Sequence, residues 1–244
     1  MKIHSLLILA LAQTFALAQP AAEATASKSI TPAERFKEGW WQKRWEAKLA
    51  QTKEAEKAEL VFLGDSITQG WEGGAAKKTW DEHFGKYHPL NLGFSGDRTE
   101  HLLWRLKNDE ENLKKLSPKV AVILIGTNNT GHEQRPAADT TAGIKAVLDE
   151  LQVVWPKTKL LVLSVFPRGE GPEDKMRKLN DEINVEVAKL ADNKKIFVQD
   201  ISASFMAPDG TLPKEIMPDK LHLSGQGYEL WAKALDPKLK ELGL

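Results

Sequence analysis

A parallel α/β sheet wrapped by helices on both faces is predicted from two features of the chain. Five short apolar runs rich in β-branched residues recur along it, and amphipathic segments of helical period separate them. Strands and helices alternating in this βαβαβαβαβα order need crossover connections, which place helices on both sides of one parallel sheet.

The runs are Leu60 to Leu63, Leu90 to Gly93, Val120 to Ile125, Leu160 to Phe166 and Ile196 to Val198. All are short, and their Val, Ile and Leu content suits strands buried on both faces. Ahead of the first, Thr31-Pro32-Ala33-Glu34 supplies an N-cap, a proline at N1 and an acid at N3. A helix carrying Phe36, Trp40, Trp41 and Trp45 is expected from there, its aromatics read as a packed stripe in preference to a sugar platform. Asp97-Arg98-Thr99-Glu100 reads as an N-cap with Glu at N3, opening a helix with Leu102, Leu103 and Leu106 inward. Ile144, Val147, Leu148, Leu151 and Trp155 repeat with helical spacing, as do Met176, Leu179, Ile183, Val187 and Leu190. The last helix starts near Ser224 and is expected to break or restart at Asp236-Pro237.

With 244 residues, 41% of them hydrophobic, the chain can bury one sizeable core and falls short of two ordinary domains. Lys plus Arg and Asp plus Glu balance at 34 each, so no strong field exists to gather nucleic acid or an anionic membrane. Lys2, the apolar stretch from Leu6 to Leu17 and the small-x-small site Ala16-Leu17-Ala18 read as a signal peptide over 1–18. That stretch is interrupted by Gln13 and Thr14 and is shorter than the ~20 residues of a membrane span. Residues 19–30 carry little to bury and read as a flexible leader, followed by one domain over 31–244. The expected product is exported, periplasmic or secreted, without stable membrane insertion and, lacking cysteine, held by its core alone. Nothing in the sequence sets the oligomeric state.

Ligands of open α/β sheets bind outside the carboxyl ends of the strands. Ser66, Gly96, Asn128, Arg168 and the stretch with Asp219 and His222 each follow a predicted strand, so they should gather along one rim. An alkyl hydroxyl needs a base to become a nucleophile. His222 is the candidate base for Ser66, and Asp219, three positions earlier, is placed to hold the imidazole tautomer. Acyl transfer also needs donors for an oxyanion. The candidates are the Ser66 N–H, the Gly96 N–H in the turn Asn91 to Asp97, and the Asn128 amide in Gly126-Thr127-Asn128-Asn129. Gly96 can equally be a turn glycine and Asn128 a loop amide bonding its own backbone, uses compatible with catalysis.

Asp65, Trp71, His132 and Arg168 are the candidates for lining the substrate. Trp71 can instead be core, His132 a capped loop histidine, and Arg168 the partner of a carboxylate. His83 and His88 lack further ligands at metal spacing, and Gly70 to Gly74 lacks the lysine of a phosphate loop. No metal, nucleotide or other cofactor is expected.

Gly64-Asp65-Ser66, Gly96, Gly126-x-Asn128 and Asp219-x-x-His222 resemble the four blocks of the SGNH (GDSL-type) hydrolase superfamily, over about residues 59 to 244. The resemblance implies a flavodoxin-like three-layer α/β/α sandwich with about five strands. It also implies Ser66 as nucleophile, Gly96 and Asn128 as oxyanion donors, and Asp219 and His222 as orienter and base. Within the superfamily, Asn91 to Asp97, His101 to Leu106, Gly126 to His132, Phe166 to Gly169 and Leu221 to Ser224 are similar to the catalytic subunits of platelet-activating factor acetylhydrolase Ib and their bacterial relatives. A serine esterase for small acyl groups, acetyl above all, is the implied activity. The export signal and the Trp-rich N-terminal helix depart from the cytosolic lipid-acting pattern, so carbohydrate O-acetyl esters are preferred as substrate. A lipid acetylhydrolase or lysophospholipase, a sugar O-acyltransferase and a non-catalytic glycan-binding protein stand as alternatives. The α/β-hydrolases place their nucleophile in Gly-x-Ser-x-Gly, which the residues around Ser66 do not match.

Overall fold

The computed structural model describes residues 27–244. The expected signal peptide at 1–18 and the leader up to residue 26 therefore lie outside the described residues. In chain order the elements are α1 (Gly39–Glu54), β1 (Leu60–Gly64), α2 (Ser66–Gln69), α3 (Gly74–Phe84), β2 (Leu90–Gly93), α4 (Thr99–Asn108), α5 (Glu110–Leu113), β3 (Val120–Leu124), α6 (Thr127–Glu133), α7 (Ala137–Val154), β4 (Lys159–Leu163), α8 (Lys175–Ala188), β5 (Ile196–Gln199) and α9 (Gly225–Glu241).

All five predicted strands form, in one parallel sheet ordered β2-β1-β3-β4-β5. Alternation along each strand feeds two cores. Phe62, Val122 and Leu161 point to one face, where they meet Trp80 and Phe84 of α3 and Trp231, Leu235 and Leu239 of α9. Leu63, Ile123 and Val162 point to the other, against Leu102 and Leu106 of α4, Ile144 and Leu151 of α7 and Ile183 of α8. Each such side chain contributes about 1.5–3 kcal/mol on burial. The three-layer α/β/α sandwich is the fold expected.

The strand order reverses at β1, with β2 on one side and β3 on the other. Register aligns Gly64 with Gly93 and with Leu124, so three strands end at the same level. That rim is the crevice in which open α/β sheets take ligands.

Several sequence expectations need correction. Residues 28–30, expected to belong to the flexible leader, form a 3₁₀ turn in which Ser29 is fully buried. Its hydroxyl donates to Asp139 at 2.5 Å and accepts from Asn129 and Arg135 at 3.0 and 2.9 Å, which fixes the segment. The first helix starts at Gly39 and not at Thr31, because Arg35 is engaged with the Ser95 carbonyl and Asp97. Trp41 and Trp45 pack with Phe94 and Trp104, whereas Phe36 and Trp40 remain 39% and 43% exposed.

Asp97 does not cap α4. Arg98 occupies that position, its N–H donating to His101 Nδ1 at 3.0 Å. Strand β4 stops at Leu163 because the Asn184 side chain takes both backbone groups of Val165, at 2.7 and 2.9 Å. Helix α9 runs through Pro237 without a break, since Leu235 and Leu239 on either side of it stay buried in the core.

Gly93 lies directly under α2: a Cβ there would sit 2.3 Å from the Gln69 nitrogen and 2.7 Å from the Thr68 carbonyl carbon. Both are backbone atoms, so Gly93→Ala must push β2 and α2 apart. Overpacking of this kind costs ~1–3 kcal/mol, a fall in Tm of roughly 2–12 °C by thermal unfolding. An unchanged Tm would show that the contact has slack.

Candidate active site

Ser66 is the first residue of α2, one residue beyond the end of β1. The junction works only because residue 64 is glycine: a Cβ would lie 2.3 Å from the Leu124 carbonyl oxygen and 2.2 Å from Thr68 Oγ1. Asp65 caps the helix, Oδ1 accepting from the Ile67 N–H at 3.0 Å. From α9, Tyr228 donates its hydroxyl to the Ile67 carbonyl at 2.7 Å. The serine therefore stands on backbone held from three sides.

Ser66 Oγ lies 2.9 Å from His222 Nε2, and His222 Nδ1 lies 2.7 Å from Asp219 Oδ2. A carboxylate only accepts, so the Nδ1 proton faces Asp219 and Nε2 is left to accept from the serine hydroxyl. Asp219 Oδ1 also accepts the His222 and Leu221 backbone N–H groups at 2.7 and 3.1 Å. Burial pushes the Asp219 carboxyl up, but the bonds from the His222 ring and backbone outweigh it and hold the group below the usual range.

The loop owes its shape to Lys220, whose φ of +61° is left-handed. Its N–H donates to Met217 at 3.0 Å, its carbonyl accepts from Gly169 at 2.9 Å, and its Nζ donates to Leu212 at 2.6 Å. These bonds offset a conformation that costs a non-glycine residue about 1–2 kcal/mol.

Gly96 follows β2 in a turn closed by the Asp97 N–H on the Phe94 carbonyl at 3.1 Å. Its φ of +70° is one that an L side chain rarely adopts. Asn128, in the first turn of α6, donates Nδ2 to the Asp97 carbonyl at 2.9 Å, which ties α6 to that turn and leaves its second amide hydrogen uncommitted. Neither the Ser66 N–H nor the Gly96 N–H donates to any described residue.

Arg168 Nη1 donates to the Thr127 carbonyl and hydroxyl at 2.8 and 3.1 Å, holding the start of α6. His132, exposed at the far end of that helix, faces a cavity of about 470 Å³ with Glu34, Arg35, Lys37, Glu38 and Arg98. Its ring is held below the ordinary histidine range, by partial burial first and then by Arg98, Arg35 and Arg168.

Two candidates do not line the substrate. Trp71 is fully buried, its ring centroid 4.6 Å from Tyr228 and 5.0 Å from Trp231. Asp65 is likewise sealed beneath the serine, and its Oδ2 has no partner among the described residues. Trp71 is enclosed by Trp80 and Phe84 of α3 and by Tyr228 and Trp231 of α9. Conversely, sequence reasoning missed Arg35, Tyr228 and Lys220. Arg35 and Tyr228 carry no local signal because the Ser95, Asp97 and Ile67 groups they hold are remote in the chain, and a left-handed lysine such as Lys220 has none because the residue type does not favour that conformation.

Residues 62–230 match the GDSL-like lipase/acylhydrolase family. The chain is 37% identical over 206 residues to human platelet-activating factor acetylhydrolase IB subunit alpha1, covering 84% of this chain and 85% of the relative. Among solved structures, a GDSL-like lipase from Bacteroides thetaiotaomicron superposes with TM-score 0.62 at 24% identity, covering 82% of this chain and 97% of that one. A carbohydrate acetylesterase from Sinorhizobium meliloti superposes with TM-score 0.58 at 19% identity, covering 76% and 100%. Both structural likenesses speak to the fold.

Burial pushes the Asp65 carboxyl from 3.8 up to about 7, against the Ile67 N–H and with Asp97 adding to the rise. The folded state thus binds this proton more tightly than the unfolded chain. The resulting stabilisation is present at acid pH and is lost as pH climbs from about 4 to about 7. Asp65→Asn keeps the capping oxygen and removes the titration, so its stability should fall less steeply across that window in denaturant titrations at stepped pH. Parallel curves for the two proteins would contradict the assignment.

Proposed function

The chain belongs to the GDSL-like lipase/acylhydrolase family and is a carboxylic ester hydrolase, and from that premise we propose that Ser66 is its nucleophile and a small acyl ester of a carbohydrate its substrate. The observation that carries the catalytic reading is the 2.9 Å separation of Ser66 Oγ and His222 Nε2, within direct proton-transfer reach.

His222 takes the hydroxyl proton as Ser66 Oγ bonds to the ester carbonyl carbon, and the carbonyl electron pair moves onto its oxygen. The Ser66 and Gly96 N–H groups and the Asn128 amide receive that oxyanion. Collapse of the intermediate breaks the bond to the alcohol oxygen, which leaves with the proton from His222. Water then repeats the sequence on the acyl-enzyme, giving the carboxylic acid and free Ser66. Asp219 stabilises the imidazolium formed twice in each cycle.

The carbohydrate reading draws support from the surroundings of the Gly96 turn. The cavity beside it carries the charged side chains of Glu34, Arg35, Lys37, Glu38 and Arg98, which can bond hydroxyls, and the neighbouring Phe36 and Trp40 are exposed. Export, read from Lys2, the apolar stretch to Leu17 and Ala18, would put the enzyme where polymeric glycans are met. The second reading, a lipid acetylhydrolase, is favoured by the 37% identity to a platelet-activating factor acetylhydrolase subunit.

Ser66→Ala should fold normally, release no acetate and escape a fluorophosphonate probe; retained turnover would remove Ser66 from the mechanism. Asp219→Asn should lower kcat by up to ~10⁴, read with p-nitrophenyl acetate. Faster turnover of octanoyl than of acetyl esters would refute small-acyl specificity. Acetate release measured from acetylated glycans and from an acetylated phospholipid decides between the two acceptors. If export is correct, mass spectrometry of the exported protein finds its first residue near Gln19.

A further inference from the structure

The four residues Phe94 to Asp97 form a turn whose central peptide joins Ser95 to Gly96. Gly96 has φ of +70°, Ser95 is not among the residues of positive φ, and the Asp97 N–H closes on the Phe94 carbonyl at 3.1 Å. Those features define a type II turn. Type I and type II turns differ by a rotation of this central peptide, and glycine at the third position makes both accessible. The direction of the Gly96 N–H therefore depends on what holds the Ser95 carbonyl, because the two groups share one planar trans peptide and point opposite ways.

Arg35 holds it. Nη1 donates to the Ser95 carbonyl at 2.8 Å and to Asp97 Oδ1 at 2.9 Å, bracketing Gly96 on both sides. Nε and Nη2 donate to the two oxygens of Glu38 at 3.0 and 2.7 Å, which fixes the plane of the guanidinium. A Cβ on Gly96 would come within 3.0 Å of Nη2, so the arginine lies flat against the glycine. Asp97 is sealed from solvent and receives Trp41 and Arg105 as well, so the far end of the bracket cannot shift.

We propose that Arg35 is a positioning residue for ester hydrolysis: it locks the Ser95–Gly96 peptide in the state that presents the Gly96 N–H as an oxyanion donor. The guanidinium also strengthens that donor. A charged group bonded to the carbonyl draws electron density through the peptide and makes its N–H a better donor. Arg35 lies ahead of residues 62–230 and of α1, so a segment outside the matched family region contributes to the geometry of the site. The inference rests on the assignment of Gly96 as an oxyanion donor.

The test compares wild type with Arg35→Ala, Arg35→Gln and Arg35→Lys in the full chain, using p-nitrophenyl acetate. Loss of a whole oxyanion donor costs ~10²–10³ in turnover, so a loosened one should cost about 10–100-fold in kcat for Arg35→Ala, with KM unchanged. Arg35→Gln retains one neutral donor and should fall between Ala and Lys, and millimolar guanidinium should restore part of the activity of Arg35→Ala alone. Melting temperature reports folding for each, and Gln and Lys serve if Ala does not fold. Wild-type kcat in a folded Arg35→Ala or Arg35→Gln, or kcat and KM changing together without guanidinium rescue, overturns the proposal. Fluorophosphonate labelling separates the two levels: a wild-type enzyme labelled at Ser66 with indifferent Arg35 variants defeats this inference alone, whereas failure to label Ser66 defeats the catalytic reading and this inference together.

Discussion

The carboxylate of Asp97 is the interaction on which the rest of the molecule converges. It is fully buried, and three donors from three parts of the chain close on it: Arg35, Trp41 and Arg105. Burial pushes its carboxyl up and the Arg105 guanidinium down, and the mutual attraction and hydrogen bonds oppose both shifts. Such a pair adds little net stability, since desolvation cancels much of the Coulomb gain, but breaking it would strand a buried charge. Arg105 extends the constraint by donating to the Leu92 and Gly64 carbonyls, at the carboxyl ends of β2 and β1. The Asp97 carbonyl extends it again to Asn128 of α6. One buried charge thus fixes the relative positions of the strand ends, the glycine turn and the N-terminal segment.

The sheet supplies the stage for that constraint. Because β1 lies between β2 and β3 in parallel register, the chain emerges three times at the same level, and the proposed nucleophile and both candidate donor loops leave from there. Close approach then requires glycine where the exits crowd: Gly64 against β3 and Gly93 against α2. The candidate base arrives from elsewhere, on the loop before α9, and α9 is anchored by Trp231, Leu235 and Leu239 in the core shared with α3. Packing of that helix is what brings His222 over Ser66.

Much of this was legible beforehand, and the failures have a common origin. Four of the strands were legible to within a residue because a continuous apolar run, buried on both faces, is a property of a few consecutive positions, visible in Leu60 to Leu63 or Val120 to Leu124 alone; β4 ends three residues early because the remote Asn184 claims Val165. Ser66, Gly96 and Asn128 do follow β1, β2 and β3 as expected, whereas the Asp219–His222 pair lies well beyond β5, on the loop that leads into α9. Trp71 is compatible by sequence with either the site or the core, and only the enclosure by α3 and α9 decides for the core. Asp97 fits the local rule for a helix cap, but two long-range donors, Arg35 and Trp41, and Arg105 of the following helix claim its carboxylate. Ser29 was assigned to a polar leader and is buried, since its partners Asn129, Arg135 and Asp139 lie about a hundred positions away.

By itself, then, the sequence determined the succession of strands and helices, the rim on which chemistry would gather and the residue types that gather there. These follow from short-range periodicity and from the requirement that a parallel sheet send its loops to defined ends. Only the tertiary structure decided which charges share a hole and which backbone groups face a donor. Arg35 and Asp97 meet across 62 positions, and nothing in either neighbourhood marks the other, because a buried ion pair is selected by the geometry of the packed layers around it.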